Sequence, residues 1–141
     1  MRSALALALL VAACGKAPPP PPPEPRASEA APRAAAILVP GEYRLAGADG
    51  QDVNLGHTIT VSVTQDEIRA ASQCVTPRWR YRQEAERLVT QIIPEAICDR
   101  GRYPAEEALS AVFDDPQSVA RTPENGIAIE GGGHVIILFS Q

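Results

Sequence analysis

The sequence predicts an α+β fold: a strongly curved antiparallel sheet or partial β-barrel of about seven or eight short strands, closed by one α-helix. Three observations carry this expectation. Residues 37–141, 105 positions, are the stretch able to fold, and that length suits one small domain. Within it, short segments alternate polar and apolar residues and are separated by turn-forming residues. Only the segment after Pro104 spaces its apolar residues as a persuasive helix does. Rossmann, TIM-barrel and α/β-hydrolase architectures need more chain.

The first 36 residues read as export and tethering. Met1-Arg2-Ser3 is a short, singly charged start, and Ala4 to Ala13 is an unbroken run of Ala, Leu and Val. Ten such residues span about 15 Å as a helix, half of a bilayer core of about 30 Å, so the run suits a signal peptide over 1–13 and not a membrane span. It ends Leu10-Val11-Ala12-Ala13-Cys14. This stretch resembles a bacterial lipoprotein signal, in which an aliphatic residue and two small residues precede an acylated Cys. The resemblance implies acyl chains on Cys14, and several chains hold a protein on a membrane almost permanently. Gly15 stands where Asp would imply retention in the inner membrane, so the expected location is the outer membrane, with the domain in the periplasm. From 14 to 36 a Pro/Ala-rich linker follows, with six consecutive prolines at Pro18–Pro23. These favour polyproline II, and the 22 residues after Cys14, fully extended, reach about 70 Å.

The folded part then unrolls in order. Glu42 to Ala46 alternates as a half-buried strand, and Gly47 to Gly50 reads as a turn. Thr58 to Val63 puts Ile59, Val61 and Val63 on one face, before a hairpin turn at Thr64-Gln65-Asp66. Glu67 to Val75 offers Ile68, Ala70, Ser72 and Cys74 on one face. Arg78-Trp79-Arg80-Tyr81-Arg82 alternates again, and Leu88 to Ile93 is a strand stopped by Pro94. Pro104 suits a first helical position, with Glu106 and Glu107 complementing the helix dipole and Ala105, Ala108, Leu109, Val112 and Phe113 at helical spacing. Asp114-Asp115-Pro116 ends the helix. Val119 to Arg121, a strand through Ile127 and Ile129, and His134 to Phe139 complete the sheet, joined by turns at Asn125-Gly126 and Gly131-Gly132-Gly133.

Residues 37–141 hold nine Arg, no Lys and fifteen acidic residues, near −6 in sum. Such a net charge argues against nucleic acid and against an anionic membrane face, and tolerates a cationic partner. With Cys14 assigned to lipid, Cys74 and Cys98 remain. An even remainder in an oxidising compartment reads as one disulfide; two buried free thiols, or a metal or redox site, are the alternatives. Neither His57 nor His134 has the close spacing to the cysteines that a zinc site needs, so no metal or other cofactor is expected.

With these elements in place, most of 41–139 resembles the META/HslJ family of small envelope proteins. Gly41-Glu42-Tyr43-Arg44-Leu45 is similar to the family's aromatic-x-Leu opening strand. Ser72-Gln73-Cys74 stands where the family carries a Cys-Asn signature, though Val75 replaces the Asn, and Cys98 falls where many members have a second Cys. Glu106 and Leu109 match the family's helix, and Gly126–Ile129 with Val135–Phe139 match its closing hairpin. The resemblance implies a periplasmic, non-enzymatic domain linked to envelope stress or secretion.

The most suggestive cluster is Arg78, Trp79, Arg80, Tyr81 and Arg82, a candidate binding surface. Arg forks match carboxylates and other anions, and aromatics supply contact area. The competing reading is a strand with both aromatics in the core and a stripe of Arg outside. No GxSxG elbow is present, Glu106-Glu107 and Asp114-Asp115 suit helix ends, and the triple glycine joins strands instead of opening a helix. The expected function is a monomeric, non-enzymatic binding or structural domain in envelope maintenance, with an envelope protein as partner. The alternatives are a lipoprotein inhibitor of a cationic lytic enzyme such as lysozyme and, third, a brace for an envelope assembly. An apolar cavity inside the sheet would point to a lipid-like or peptide ligand; a filled interior leaves surface binding.

Overall fold

The structure, a computed structural model, describes residues 34–141. The signal peptide, Cys14 and the linker as far as residue 33 lie outside the described residues. The elements are β1 (Ala34–Ala35), β2 (Gly41–Ala48), β3 (Gln51–Asp52), β4 (Thr60–Val63), β5 (Glu67–Ala71), β6 (Arg78–Glu84), β7 (Arg87–Ile93), α1 (Pro104–Asp114), β8 (Pro116–Arg121), β9 (Ile127–Gly131) and β10 (His134–Ser140). One antiparallel sheet runs β1-β8-β9-β10-β2-β4-β5-β6-β7, with β3 paired to β2. It curls until β7 faces β8, two strands from opposite ends of that order. The result is a half-barrel with a single helix, as the alternating segments predict. The eight longer strands are those read from the sequence; β1 and β3, two residues each, are additional.

Hairpin chemistry sets the registers. Asp49 and Gly50 both have positive φ in the two-residue turn between β2 and β3, and Gly132 and Gly133 do the same between β9 and β10. Mirror-image turns of this kind match the right-handed twist of paired strands. Gly131 has a different reason to be glycine: a Cβ there would sit 2.5 Å from the Asp115 carbonyl oxygen and 2.7 Å from that of Val112. The C-terminal turn of α1 therefore rests directly on the end of β9.

Burial follows the alternation. Tyr43, Leu45, Ile59, Val61, Val63, Ile68, Ala70, Trp79 and Leu88 face inward from the first half of the sheet. Ile129, Ile136 and Leu138 do so from the second, and Leu109, Val112 and Phe113 of α1 fill the space between. Trp79 stacks at a tilt on Phe113, 5.1 Å between ring centroids, and its indole N–H donates to Asp114 Oδ1 at 2.7 Å. A buried Trp placed this way satisfies its one polar atom without disturbing the core.

Several boundaries differ from the sequence reading. The turn read over Gly47 to Gly50 starts at Asp49, because Gly47 and Ala48 continue β2 and pair with Asp52 and Gln51 of β3. The linker assigned to 14–36 stops earlier, because Ala34 and Ala35 pair with Arg121 and Ala120 and Ala36 is buried. Alanines read as spacer by composition are also small enough to enter a sheet edge. The strand read through Val75 ends at Ala71; Ser72 and Val75 close a tight turn with Gln73 at φ +56°. Cys74 therefore does not continue the inward face of Ile68, Ala70 and Ser72 but is exposed at the tip of that turn.

Candidate functional site

Strand alternation decides what the arginine cluster can do. Trp79 is fully buried, so it is no part of a binding surface. Tyr81 is half-buried, packs on the core and donates its hydroxyl to the Thr64 carbonyl at 2.7 Å. Burial pushes the Tyr81 phenol above its ordinary value, so it stays neutral and acts as a donor. Arg78, Arg80 and Arg82 occupy the alternate positions and point outward.

The sheet adds residues to this stripe that chain order separates. Arg69 lies opposite Arg78 across β5 and β6, and Arg80 lies opposite Glu67. Arg87 lies opposite Glu84 on β7, and Arg44 extends the same outer face from β2. Six of the nine arginines in the domain thus share the outer face of β2, β5, β6 and β7 with three acids, Glu42, Glu67 and Glu84. Arg78 reaches Glu67 at 3.7 Å and Arg82 reaches Glu84 at 2.8 Å, which holds the Glu84 carboxyl below its ordinary range. The side chains of Arg44, Arg69 and Arg80 have no hydrogen bond or ion pair among the described residues. Like charges directly opposite, as at Arg69 and Arg78, disfavour the sheet, so this face keeps positive charge at a cost to stability. A shallow groove of about 440 Å³ runs over β6 and β7, lined by Arg80 to Arg82 and Val89 to Gln91. The sequence pointed to the β6 arginines through their alternation; Arg44, Arg69 and Arg87 were out of reach because pairing partners are not visible in a chain.

Among the described residues the core around α1 is closely packed. Beside Ile59, Ala70 and Leu109 the core leaves a gap of about 10 Å³. That is the space of about one water, far below a lipid or peptide ligand.

A second polar cluster closes the end of the half-barrel next to the Cys74–Cys98 disulfide, which the structure contains. The loop from 94 to 103 carries Arg100 back to Glu106 on α1, with Nη2–Oε1 at 2.6 Å and Nη1–Oε2 at 2.9 Å. Arg100 also donates to the Ser72 carbonyl and lies over the Tyr103 ring at 4.6 Å. Glu106 is buried, and its Oε2 accepts the Tyr103 N–H at 2.8 Å. Burial alone would raise the Glu106 pKa; the Arg100 guanidinium, the Ser72 hydroxyl and the Tyr103 N–H outweigh it and hold the carboxyl at about 2. The sequence assigned Glu106 to the helix dipole; its larger role as the counter-charge of Arg100 depends on where the disulfide loop returns.

Here the fold also brings Ser72 Oγ within 2.8 Å of His57 Nε2. The arrangement differs from a catalytic triad. The carboxylate bonds to the serine instead of to the far nitrogen of the histidine, and Ser72 is buried at 2% exposure beside the 10 Å³ gap. A substrate carbonyl has no room at Ser72 Oγ. The cluster holds the turn, the disulfide loop and the helix start together.

Comparison with protein-family models, with curated proteins and with solved structures finds no match to this chain.

Proposed function

We propose that this chain is an outer-membrane lipoprotein, anchored through Cys14 and tethered by its Pro/Ala linker. Its META/HslJ-like domain serves envelope maintenance by binding instead of by catalysis. The observation that carries the binding role is the outer face of β2, β4, β5, β6 and β7, where six arginines meet three acids. The closely packed core supports surface recognition over an enclosed ligand. The anchoring role is supported by Leu10-Val11-Ala12-Ala13-Cys14, and the family reading by the strand, Cys and helix motifs between Gly41 and Phe139.

Fractionation of a two-membrane bacterium producing the chain tests the anchor. The native chain is expected in the outer-membrane fraction with acyl mass on Cys14, and Cys14→Ser in the soluble fraction. A native chain that fractionates as soluble overturns the anchor. A photo-crosslinking residue at position 80 tests the binding role, and a chain that yields no adduct in the envelope counts against it.

One observation favours a second reading, capture of a cationic lytic enzyme such as lysozyme. The other twelve acids of the domain sit in turns, on α1 and on the remaining strands, against only Arg100, Arg102 and Arg121. Failure of immobilised lysozyme to retain the domain at low salt removes this reading.

A further inference from the structure

We propose that the pocket between the β2–β3 hairpin and the start of α1 receives a lysine or arginine side chain of a protein partner. The proposal rests on the second reading above, capture of a cationic protein, and gives that reading an anchor point. The pocket is about 300 Å³, and its lining includes Asp49, Asp52, Val53, Asn54, Leu55 and Ala105. That volume is the lower end of ligand sites and suits one long side chain. The pocket is also open on one side, so it takes a group presented by a larger surface instead of enclosing a whole molecule. Its floor is apolar. Val53 and Leu55 pack on the core yet keep part of their surface open, and the Val53 N–H donates to the Ala46 carbonyl at 2.9 Å, which fixes this loop on the sheet. Its rim is acidic. Asp49 and Asp52 are both exposed, and none of the described lining residues is basic.

Charge and shape together select a cationic side chain. Asp49 Oδ1 accepts the Val135 N–H at 3.0 Å, and Asp49 Oδ2 lies 2.8 Å from His134 Nδ1. These two bonds hold the Asp49 carboxyl below its ordinary range, so it stays ionised. A carboxylate has acceptor sites beyond those two. The Asp52 side chain has no hydrogen bond or ion pair among the described residues. The positive end of α1 works against a cation here, and Glu107 on the first turn of the helix offsets it. Lysine and arginine have two ends that match such a pocket: the aliphatic stem lies along Val53 and Leu55 while the charged head reaches the carboxylates. An apolar side chain would desolvate Asp49 and Asp52 without pairing them, and an acidic one would be repelled. One side chain is a single anchor, so a whole partner also needs contacts outside the pocket.

The test uses the chain carrying Cys14→Ser, which removes any acyl group. The probe is the capped peptide Gly-Gly-Lys-Gly-Gly, compared with the same peptide holding norleucine, which keeps the stem and drops the charge. Backbone amide shifts are followed by NMR at low and at high salt. The lysine peptide is expected to move the signals of Val53, Leu55 and Ala105 and to bind about fivefold tighter than the norleucine peptide, an advantage that shrinks at high salt. Asp52→Asn is expected to weaken the lysine peptide about threefold. Asp52 is exposed and its side chain is unpaired, so the fold is kept. Glu124→Gln changes net charge equally, at the opposite end of β9 from His134, and is expected to bind as the native chain does. Equal binding of the two peptides overturns the proposal, as does an equal loss in Asp52→Asn and Glu124→Gln. Shifts confined to residues outside the pocket also overturn it. Immobilised lysozyme separates the pocket from the reading it rests on. Equal retention of the native chain and of Asp52→Asn sinks the pocket and leaves the capture reading standing. A lysine peptide that binds in the pocket while lysozyme retains nothing upholds the pocket and removes lysozyme as its partner.

Discussion

Replacing Glu106 by Gln probes the one buried charge on which the disulfide loop depends. The native carboxylate, 2% exposed, takes two hydrogen bonds from Arg100 and one from the Tyr103 N–H. Its pKa falls from an ordinary 4.5 to about 2 in the folded chain. The folded group titrates below the unfolded one, so its contribution is complete above pH 4.5 and drains away as pH falls toward 2. That difference corresponds to about 3 kcal/mol at pH 7 and about 1 kcal/mol at pH 3. Gln keeps the shape but leaves the Arg100 guanidinium without its counter-charge, and removing one partner of a buried pair costs about 3–5 kcal/mol. A loss of about 3 kcal/mol at pH 7, shrinking to about 1 kcal/mol at pH 3, is therefore expected. Urea titration followed by the emission of Trp79, the single tryptophan, measures both stabilities directly. A loss below about 1 kcal/mol at pH 7, or a gap between native and variant that ignores pH, would refute the reasoning.

Removing the disulfide as Cys74→Ala with Cys98→Ala frees a loop of sequence separation 24 and is expected to cost about 3.5 kcal/mol, read by the same titration. A double variant as stable as the oxidised native chain would contradict this. Gly131→Ala forces a Cβ against the carbonyl oxygens of Asp115 and Val112, which are backbone and cannot swing aside, so a loss of about 2 kcal/mol or more is expected. Gly101→Ala, where a Cβ meets nothing within 4 Å, is expected to stay within about 0.5 kcal/mol of native by thermal melting.

Much of the architecture was legible because it is local. Alternation in 42–46, 58–63 and 78–82 reports which side chains a pleated strand sends to each face, and helical spacing after Pro104 does the same for α1. The hairpin turns could be read because mirror-image turns need residues that tolerate positive φ, and Asp49-Gly50 and Gly132-Gly133 supply them. Local signals misled where two structures suit one composition. Alanines 34 to 36 serve equally in a spacer or at a sheet edge, and the apolar spacing through Cys74 continued past the point where Gln73 turns the chain.

By itself the sequence determined the α+β class, the single helix, the order of the longer strands and the outward stripe Arg78, Arg80 and Arg82. All are consequences of covalent period and local backbone preference. Only the tertiary structure decided that Arg44, Arg69 and Arg87 join that stripe with three of the fifteen acids, because charge on a sheet face is set by cross-strand register. It likewise decided that Glu106 faces Arg100, which depends on where the disulfide-bonded loop returns to the helix, and that His57 meets Ser72, which follows from the register of β4 on β5. A net charge of one sign can thus hide a face of the other, and the distribution depends on three-dimensional neighbours that composition does not contain.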